Sequence, residues 1–277
     1  MAVQSKTPIT LTIAGSDSGG GAGIQADIKA ISATGGYACS VISALTAQNT
    51  QGVTGIFNIS PEFVAEQMDA VFSDLDVKAV KIGMLSDSAI IRTVAAKLRQ
   101  YQPPFLVIDP VMVATSGDLL LQQEAIETLK SELLPLADVI TPNLPEAAAL
   151  LDAEIPHNED DMAQLVEALR GLGATSVLLK GGHLSQTRES TDLLILSDQV
   201  LRFSHPRIDT HNTHGTGCTL SAAIASFLAQ GLTLIEAVRH AKTYITEAIR
   251  HADQLRIGAG HGPVHHFFDG HFQPERS

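Results

Sequence analysis

Short β-rich runs alternate with helical patterns along almost the whole chain, and that alternation leaves few architectures open. Ile9–Ala14 reads as a strand and is followed by a Gly-rich loop and a helix from about Gly23 to Thr34. Tyr37–Leu45 reads as a second strand, Pro61–Phe72 as a helix and Val77–Ile82 as a strand. Asp87 can cap a helix whose Ile90, Ile91, Val94, Ala95 and Leu98 share one face. A buried strand, Phe105–Ile108, runs up to Asp109. Then come a helix at Glu124–Leu133, a short strand at Val139–Thr141, and helices at Asn143–Leu151 and Asp160–Leu172. Ser176–Lys180 is a strand, and Asp192–Leu196 with Val200–Phe203 forms a hairpin turned at Ser197-Asp198. An apolar helix spans Thr219–Ala229, and Thr233 with Glu236 boxes the start of a last one. Repeated β-then-α units predict a mostly parallel sheet covered by helices on both faces. No linker, internal repeat or low-complexity tract interrupts the pattern, so one domain over 1–277 is expected.

In such folds ligands bind beyond the carboxyl ends of the strands. The residues at those ends are therefore the ones to weigh. They are Asp17, Gln48 and Asn49, Gly83 and Met84, Asp109, Asn143 and Lys180. The turn Gly215-Thr216-Gly217-Cys218 opens the apolar helix on the same rim. The first amides of a helix have no internal partner, and the helix dipole adds positive charge there. Glycines let a ligand approach those amides, which suits a phosphate. The same setting should ease ionisation of Cys218. The alternative is a glycine turn that only lets a helix pack, with the cysteine as filler.

Several chemistries are excluded. There is no G-x-x-x-x-G-K-[ST], nor any Gly-Lys pair, so this is not a P-loop NTPase. "SDSGGGAGIQAD" at Ser16–Asp27 does not fit the dinucleotide fingerprint and reads as a substrate loop. The absence of H-E-x-x-H and of paired C-x-x-C argues against zinc. His261, His265 and His266 read as surface or packing residues. A formal net charge of -12, with no Lys/Arg run, argues against nucleic acid as a partner. Two cysteines, Cys39 and Cys218, give no disulfide framework, and no apolar run reaches bilayer length. With no signal-peptide apolar core, a soluble cytoplasmic protein without a membrane partner is expected. Glu146 stands three residues after Asn143 in "TPNLPE", which fits either a capping box or a metal ligand. A carboxylate pair for Mg²⁺, a lysine and a helix N-terminus together are the parts of a phosphoryl-transfer site.

Eight stretches then carry a resemblance. "LTIAGSDSGGGAGIQADIKA", "SALTAQNTQGV", "KIGMLSD", "VIDPVMVATSGD", "ITPNLPEAAALL", "LLKGGH", "NTHGTGCTLSAAIA" and "GPVHHF" closely resemble the hydroxymethylpyrimidine/phosphomethylpyrimidine kinases of thiamine biosynthesis, within the ribokinase-like superfamily. The likeness runs from Leu11 to Phe267. It implies a three-layer α/β/α fold, dependence on ATP and Mg²⁺, and a homodimer. It also implies two successive phosphorylations of 4-amino-5-hydroxymethyl-2-methylpyrimidine in one pocket. By position, Asp27 and Gln48 match pyrimidine-binding residues, with Gly15, Ala22, Met84 and Val111 lining the pocket. Asp109 and Glu146 match positions tied to Mg²⁺ and phosphate, with Asn143 in the same motif. Lys180 and Gly182 match the nucleotide side. Gly215, Thr216, Gly217 and Cys218 match the anion hole and catalytic position. The wider superfamily commonly has Gly-Ala-Gly-Asp where this chain has Gly-Thr-Gly-Cys. Thr115 stands where the pyrimidine-kinase branch often has Lys. The loops Gly19–Gly23 and Thr115–Gly117 are expected as lids. A pyridoxal kinase and a non-catalytic pyrimidine-binding protein are the rival readings.

Overall fold

A computed structural model describes residues 7–112, 121–182, 184 and 188–270. Thr115 and the expected lid at Thr115–Gly117 lie outside the described residues. The chain runs β1 (Ile9–Asp17), α1 (Gly23–Ala33), β2 (Tyr37–Asn49), β3 (Gly52–Asn58), α2 (Pro61–Phe72), β4 (Val77–Ile82) and α3 (Ser88–Tyr101). It continues through β5 (Leu106–Ile108), α4 (Gln123–Thr128), β6 (Val139–Ile140), α5 (Leu144–Leu151), α6 (Glu159–Gln164) and α7 (Val166–Arg170). It ends with β7 (Val177–Lys180), β8 (Glu189–Ile195), β9 (Val200–Pro206), α8 (Thr216–Ala229) and α9 (Leu234–Arg250). Among the described residues the strands form one sheet in the order β3-β2-β1-β4-β5-β6-β7-β8-β9. From β2 to β7 all neighbours pair in parallel, and the two edges are antiparallel.

Successive side chains of a strand point to opposite faces. Val80, Ile82, Ile108, Ile140 and Leu179 meet the apolar faces of α2 to α5 and α7. Their neighbours Ala79, Val107, Val139 and Leu178 meet α8 and α9. α1 packs on α8 through Ala30, Ile31 and Ala222. This is the expected three-layer α/β/α arrangement. The strand order reverses beside β1, whose neighbours are β2 and β4, and such a crevice is where open α/β sheets bind ligands.

Local sequence signals place about half of the elements within a residue or two, while β1, β2, β8, β9 and α8 run three or four residues beyond their expected bounds. Asp87 accepts the amide of Ile90 at 2.9 Å, and the five apolar residues expected on that helix face are all buried. Thr233 and Glu236 form their capping box. Three expectations need correction. β3 is an edge strand that pattern reading misses, because it is exposed on both faces and carries two glycines. The helix expected at Glu124–Leu133 ends at Thr128 and relaxes into a wider turn. The helix expected at Asp160–Leu172 divides at Leu165.

Candidate active site

A cavity of about 670 Å³ opens over the carboxyl ends of the parallel strands. Its floor is the first turn of α8. Gly215 precedes that turn with φ of +78°, and a Cβ there would overlap the carbonyl oxygen of Gly21. Only glycine fits. Thr216 ties its hydroxyl to the carbonyl of Thr213 at 2.7 Å, which closes the turn. The amides of Gly217 and Cys218 take no backbone acceptor among the described residues, so they remain available to a ligand. A Cβ on Gly217 would stand 3.2 Å from Lys180 Nζ and 3.5 Å from Asp109 Oδ2. Its bareness keeps that ion pair open to the turn.

Cys218 lines the cavity, as expected, but its ionisation runs against the expectation from the helix terminus. Burial pushes the thiol up to about 11. Lys81 and an N–H from Gly23 pull it down, whereas Asp27 and Asp109 push it further up. Desolvation outweighs the helix dipole, whose effect is worth at most about 2 kcal/mol. The resting sulfur is a neutral thiol.

Asp109 and Lys180 form a buried ion pair at 2.8 Å, and Thr141 donates to the same carboxylate at 3.0 Å. Burial alone would raise the Asp109 pKa, but Lys180 and Lys81 hold it below the ordinary value. Burial would lower that of Lys180, yet Asp109 and Glu146 keep the amine protonated. Asn143 and Glu146 form a full capping box, each accepting the other's backbone amide at 2.8 Å. Glu146 also lines the cavity, and burial pushes its carboxyl up to about 7. The box occupies one of its two oxygens, and the backbone amide of Met112 also donates to the carboxyl.

On the opposite wall stand Gly15, Ala22, Gln48, Met84 and Val111. A Cβ on Gly15 would meet Met84 Cε at 2.6 Å, so that glycine makes room for the methionine. Gln48 is anchored through its backbone, which exchanges two hydrogen bonds with Ser18 Oγ at 2.7 and 2.8 Å. Thr46 donates to its Oε1 at 3.1 Å, and its Nε2 has no protein partner among the described residues. Asp27 departs from expectation. It is fully buried and lies outside the cavity wall. Both its oxygens are taken by Lys81, at 2.8 and 2.9 Å, and Thr12 adds a third bond at 2.6 Å. These three bonds hold the carboxylate beneath the floor. Its partner Lys81, fully buried on β4, escaped sequence reading, because a lysine inside an apolar strand signals nothing until its partner 54 residues away is known.

The loop Gly19–Gly23, expected as a lid, is hydrogen-bonded along its length. Asp17 accepts the amides of Gly19, Gly21 and Ala22 at 2.8 to 3.1 Å, and Lys29 holds the Gly20 carbonyl at 2.7 Å. Lys180, Gly182 and Asn143, matched by resemblance to the nucleotide side and its neighbouring motif, line the same cavity. Lys242 and Asp192, paired at 2.6 Å, line it as well and were not foreseen. His266 is a packing residue: it is buried against Thr219, and burial holds its pKa down to about 4. Among the described residues no helix is long and apolar enough to cross a membrane.

Comparison with known proteins agrees with this geometry. A sequence model of the family described as phosphomethylpyrimidine kinase matches residues 17–265. The hydroxymethylpyrimidine/phosphomethylpyrimidine kinase of Rhizobium meliloti is 58% identical over 261 residues, covering 94% of this chain and 97% of that protein. The crystal structure of phosphomethylpyrimidine kinase from Clostridium difficile superposes with a TM-score of 0.77 at 47% identity, over 87% of this chain and 99% of that one. Bacillus subtilis pyridoxal kinase, solved as an ADP complex, superposes with a TM-score of 0.86 at 35% identity, over 93% and 97%. The fold is therefore that of the ribokinase-like vitamin kinases, and the chain belongs to the phosphomethylpyrimidine kinase family.

Proposed function

We propose that this protein transfers the γ-phosphoryl group of ATP to 4-amino-5-hydroxymethyl-2-methylpyrimidine, and then transfers a second to the monophosphate, supplying the pyrimidine diphosphate for thiamine biosynthesis. The observation that carries this reading is one cavity shared by the open α8 turn with Cys218, the Asp109–Lys180 pair and the Gln48 wall. An acceptor held by Gln48 faces the amides of Gly217 and Cys218. The reacting oxygen bonds to the γ-phosphorus as the bond to ADP breaks. Charge spreads over the phosphoryl oxygens, and fixed amides stabilise it. Lys180 stays protonated throughout and adds positive charge beside the turn. Gln48 can donate and accept, which suits an aminopyrimidine edge.

The residues present fit Mg²⁺. The ion needs only one or two carboxylates beside phosphate and water, and Asp109 and Glu146 both face the cavity. Among the described residues no third His, Cys, Asp or Glu joins them into a protein cage. Asp109 and Glu146 would hold the ion, which when bound draws negative charge from phosphate oxygens.

The test is ADP release with Mg²⁺, ATP and either pyrimidine acceptor. Turnover with both supports the reading. A higher kcat/KM for pyridoxal would reassign the substrate, and pyrimidine binding without ADP release would leave a binding protein. Within this reading, Gln48→Ala is expected to weaken pyrimidine binding about 5- to 150-fold, from a buried polar partner stranded at roughly 1–3 kcal/mol, and to spare ATP. Equal losses for both ligands would make Gln48 structural. The family's homodimer fits the β2–β3 edge, where Leu45, Ile56 and Phe57 are 43%, 49% and 68% exposed. Sedimentation at the mass of one chain would remove that part of the proposal.

A further inference from the structure

One carboxylate joins the acceptor loop to the phosphoryl turn. Asp17 ends β1 and is 2% exposed. Besides the amides of Gly19, Gly21 and Ala22, it accepts a hydrogen bond from His214 Nε2 at 2.9 Å. His214 is 8% exposed and directly precedes Gly215. Its own amide bonds the carbonyl of Gly262 at 3.0 Å, so three segments of chain meet at this residue. The fit is close. A Cβ on Gly21 would stand 2.5 Å from the histidine Cδ2, and one on Gly215 would overlap the Gly21 carbonyl. Burial would raise the Asp17 pKa, but the bonds from His214, Ala22 and Gly19 hold it below the ordinary value. It is an anion serving four donors, and the histidine must carry a hydrogen on Nε2 to be one of them.

We propose that Asp17 and His214 are positioning residues for phosphoryl transfer, a clasp that holds the amides of Gly217 and Cys218 in register with the acceptor loop. The proposal rests on the kinase reading given above. The clasp is asymmetric. Without the imidazole, Asp17 still holds three loop amides and Lys29 still holds Gly20, so the acceptor wall keeps its shape. The turn before α8 loses its imidazole tie to that wall and keeps the weaker contact of the Gly23 N–H with the Cys218 sulfur. A misplacement of about 1 Å costs on the order of 100-fold in rate when reacting groups must be aligned. The loss should therefore fall on kcat rather than on pyrimidine binding, and on both steps, since both use the same turn.

The experiment compares His214→Ala and His214→Gln with the wild type, with kcat and KM measured for each acceptor and for ATP. Gln places an amide N–H near the position of Nε2. The expected result is a kcat about 100-fold lower in H214A at both steps, with pyrimidine KM within about threefold and H214Q within about fivefold of wild type. Unchanged kcat in H214A, parallel losses in kcat and KM, or H214Q no better than H214A would overturn the clasp. Should H214A not fold, Asp17→Asn is expected to show the same loss of kcat, and a wild-type kcat there overturns the proposal too. Hydrogen exchange of the His214 and Thr216 amides, bonded to the carbonyls of Gly262 and Thr213, reads the positioning without turnover: it should quicken in the variant, and unchanged protection also overturns the proposal. The wild-type enzyme in the same assay reports separately on the kinase reading.

Discussion

Gly215→Ala is expected to abolish at least 99% of turnover at both phosphorylations and to lower the melting temperature. Two independent costs meet at this position. A side chain at φ of +78° costs roughly 1–2 kcal/mol in the left-handed region. The new methyl group also overlaps the Gly21 carbonyl, which is backbone and cannot swing aside as a side-chain tip would. Relief requires the acceptor loop and the start of α8 to move apart. That motion separates the groups that must meet, so activity should fall by more than the stability loss explains. Gly231→Ala is the control. It too sits at positive φ, +90°, but nothing lies within 4 Å of its Cβ position. It should cost roughly 1–2 kcal/mol of stability and leave kcat unchanged. Kinetics of both variants at a temperature where each is folded checks this. Wild-type kcat in G215A would show that the turn does not shape the phosphoryl site.

What the sequence made legible was local or periodic. Adjacent residues of the parallel strands face opposite layers, as Ala79 and Val80, Val107 and Ile108, Val139 and Ile140 do. Caps at Asp87, Asn143 and Thr233 depend on residues three apart and appear as expected. The rim residues Asp109, Asn143 and Lys180 followed from the rule that strands end at the site. The misreadings involve partners distant in sequence. Asp27 matches a pyrimidine-binding position by resemblance alone, whereas the folded chain pairs it with Lys81 and Thr12 from β4 and β1. The helix that presents Cys218 suggested an acidic thiol, and the depth of burial reversed the sign. The Asp17–His214 contact spans 197 residues, so no spacing could announce it. Sequence reading found which residues gather at the rim; only the folded chain shows which are already paired.

Cys218→Ser is expected to slow the first phosphorylation about 10²- to 10⁴-fold, the usual contribution of a positioned base, and to leave the second nearly intact. The first acceptor is an alcohol, and its oxygen must lose a proton as the bond to phosphorus forms. The second acceptor is a phosphate monoester, largely ionised near neutrality because its second pKa is about 6, so it needs no base. The amides of Gly217 and Cys218 serve both steps and survive the substitution. Serine keeps the size of the side chain, but its hydroxyl does not ionise in water near neutral pH. Burial adds a pH signature. With the thiol pushed up to about 11, the sulfur is protonated at neutral pH, and the ionised fraction grows tenfold with each pH unit below that value. If the thiolate takes the alcohol proton, first-step kcat/KM should climb through pH 8 and 9 with that slope. The second step should level off once the monophosphate is ionised. The slope should vanish in C218S. Each step is assayed alone by supplying the hydroxymethylpyrimidine or its monophosphate. Equal losses at both steps, or a first step flat from pH 7 to 9 in the wild type, would reject Cys218 as the base. Its sulfur would then only help to shape the floor beneath the transferring phosphoryl group.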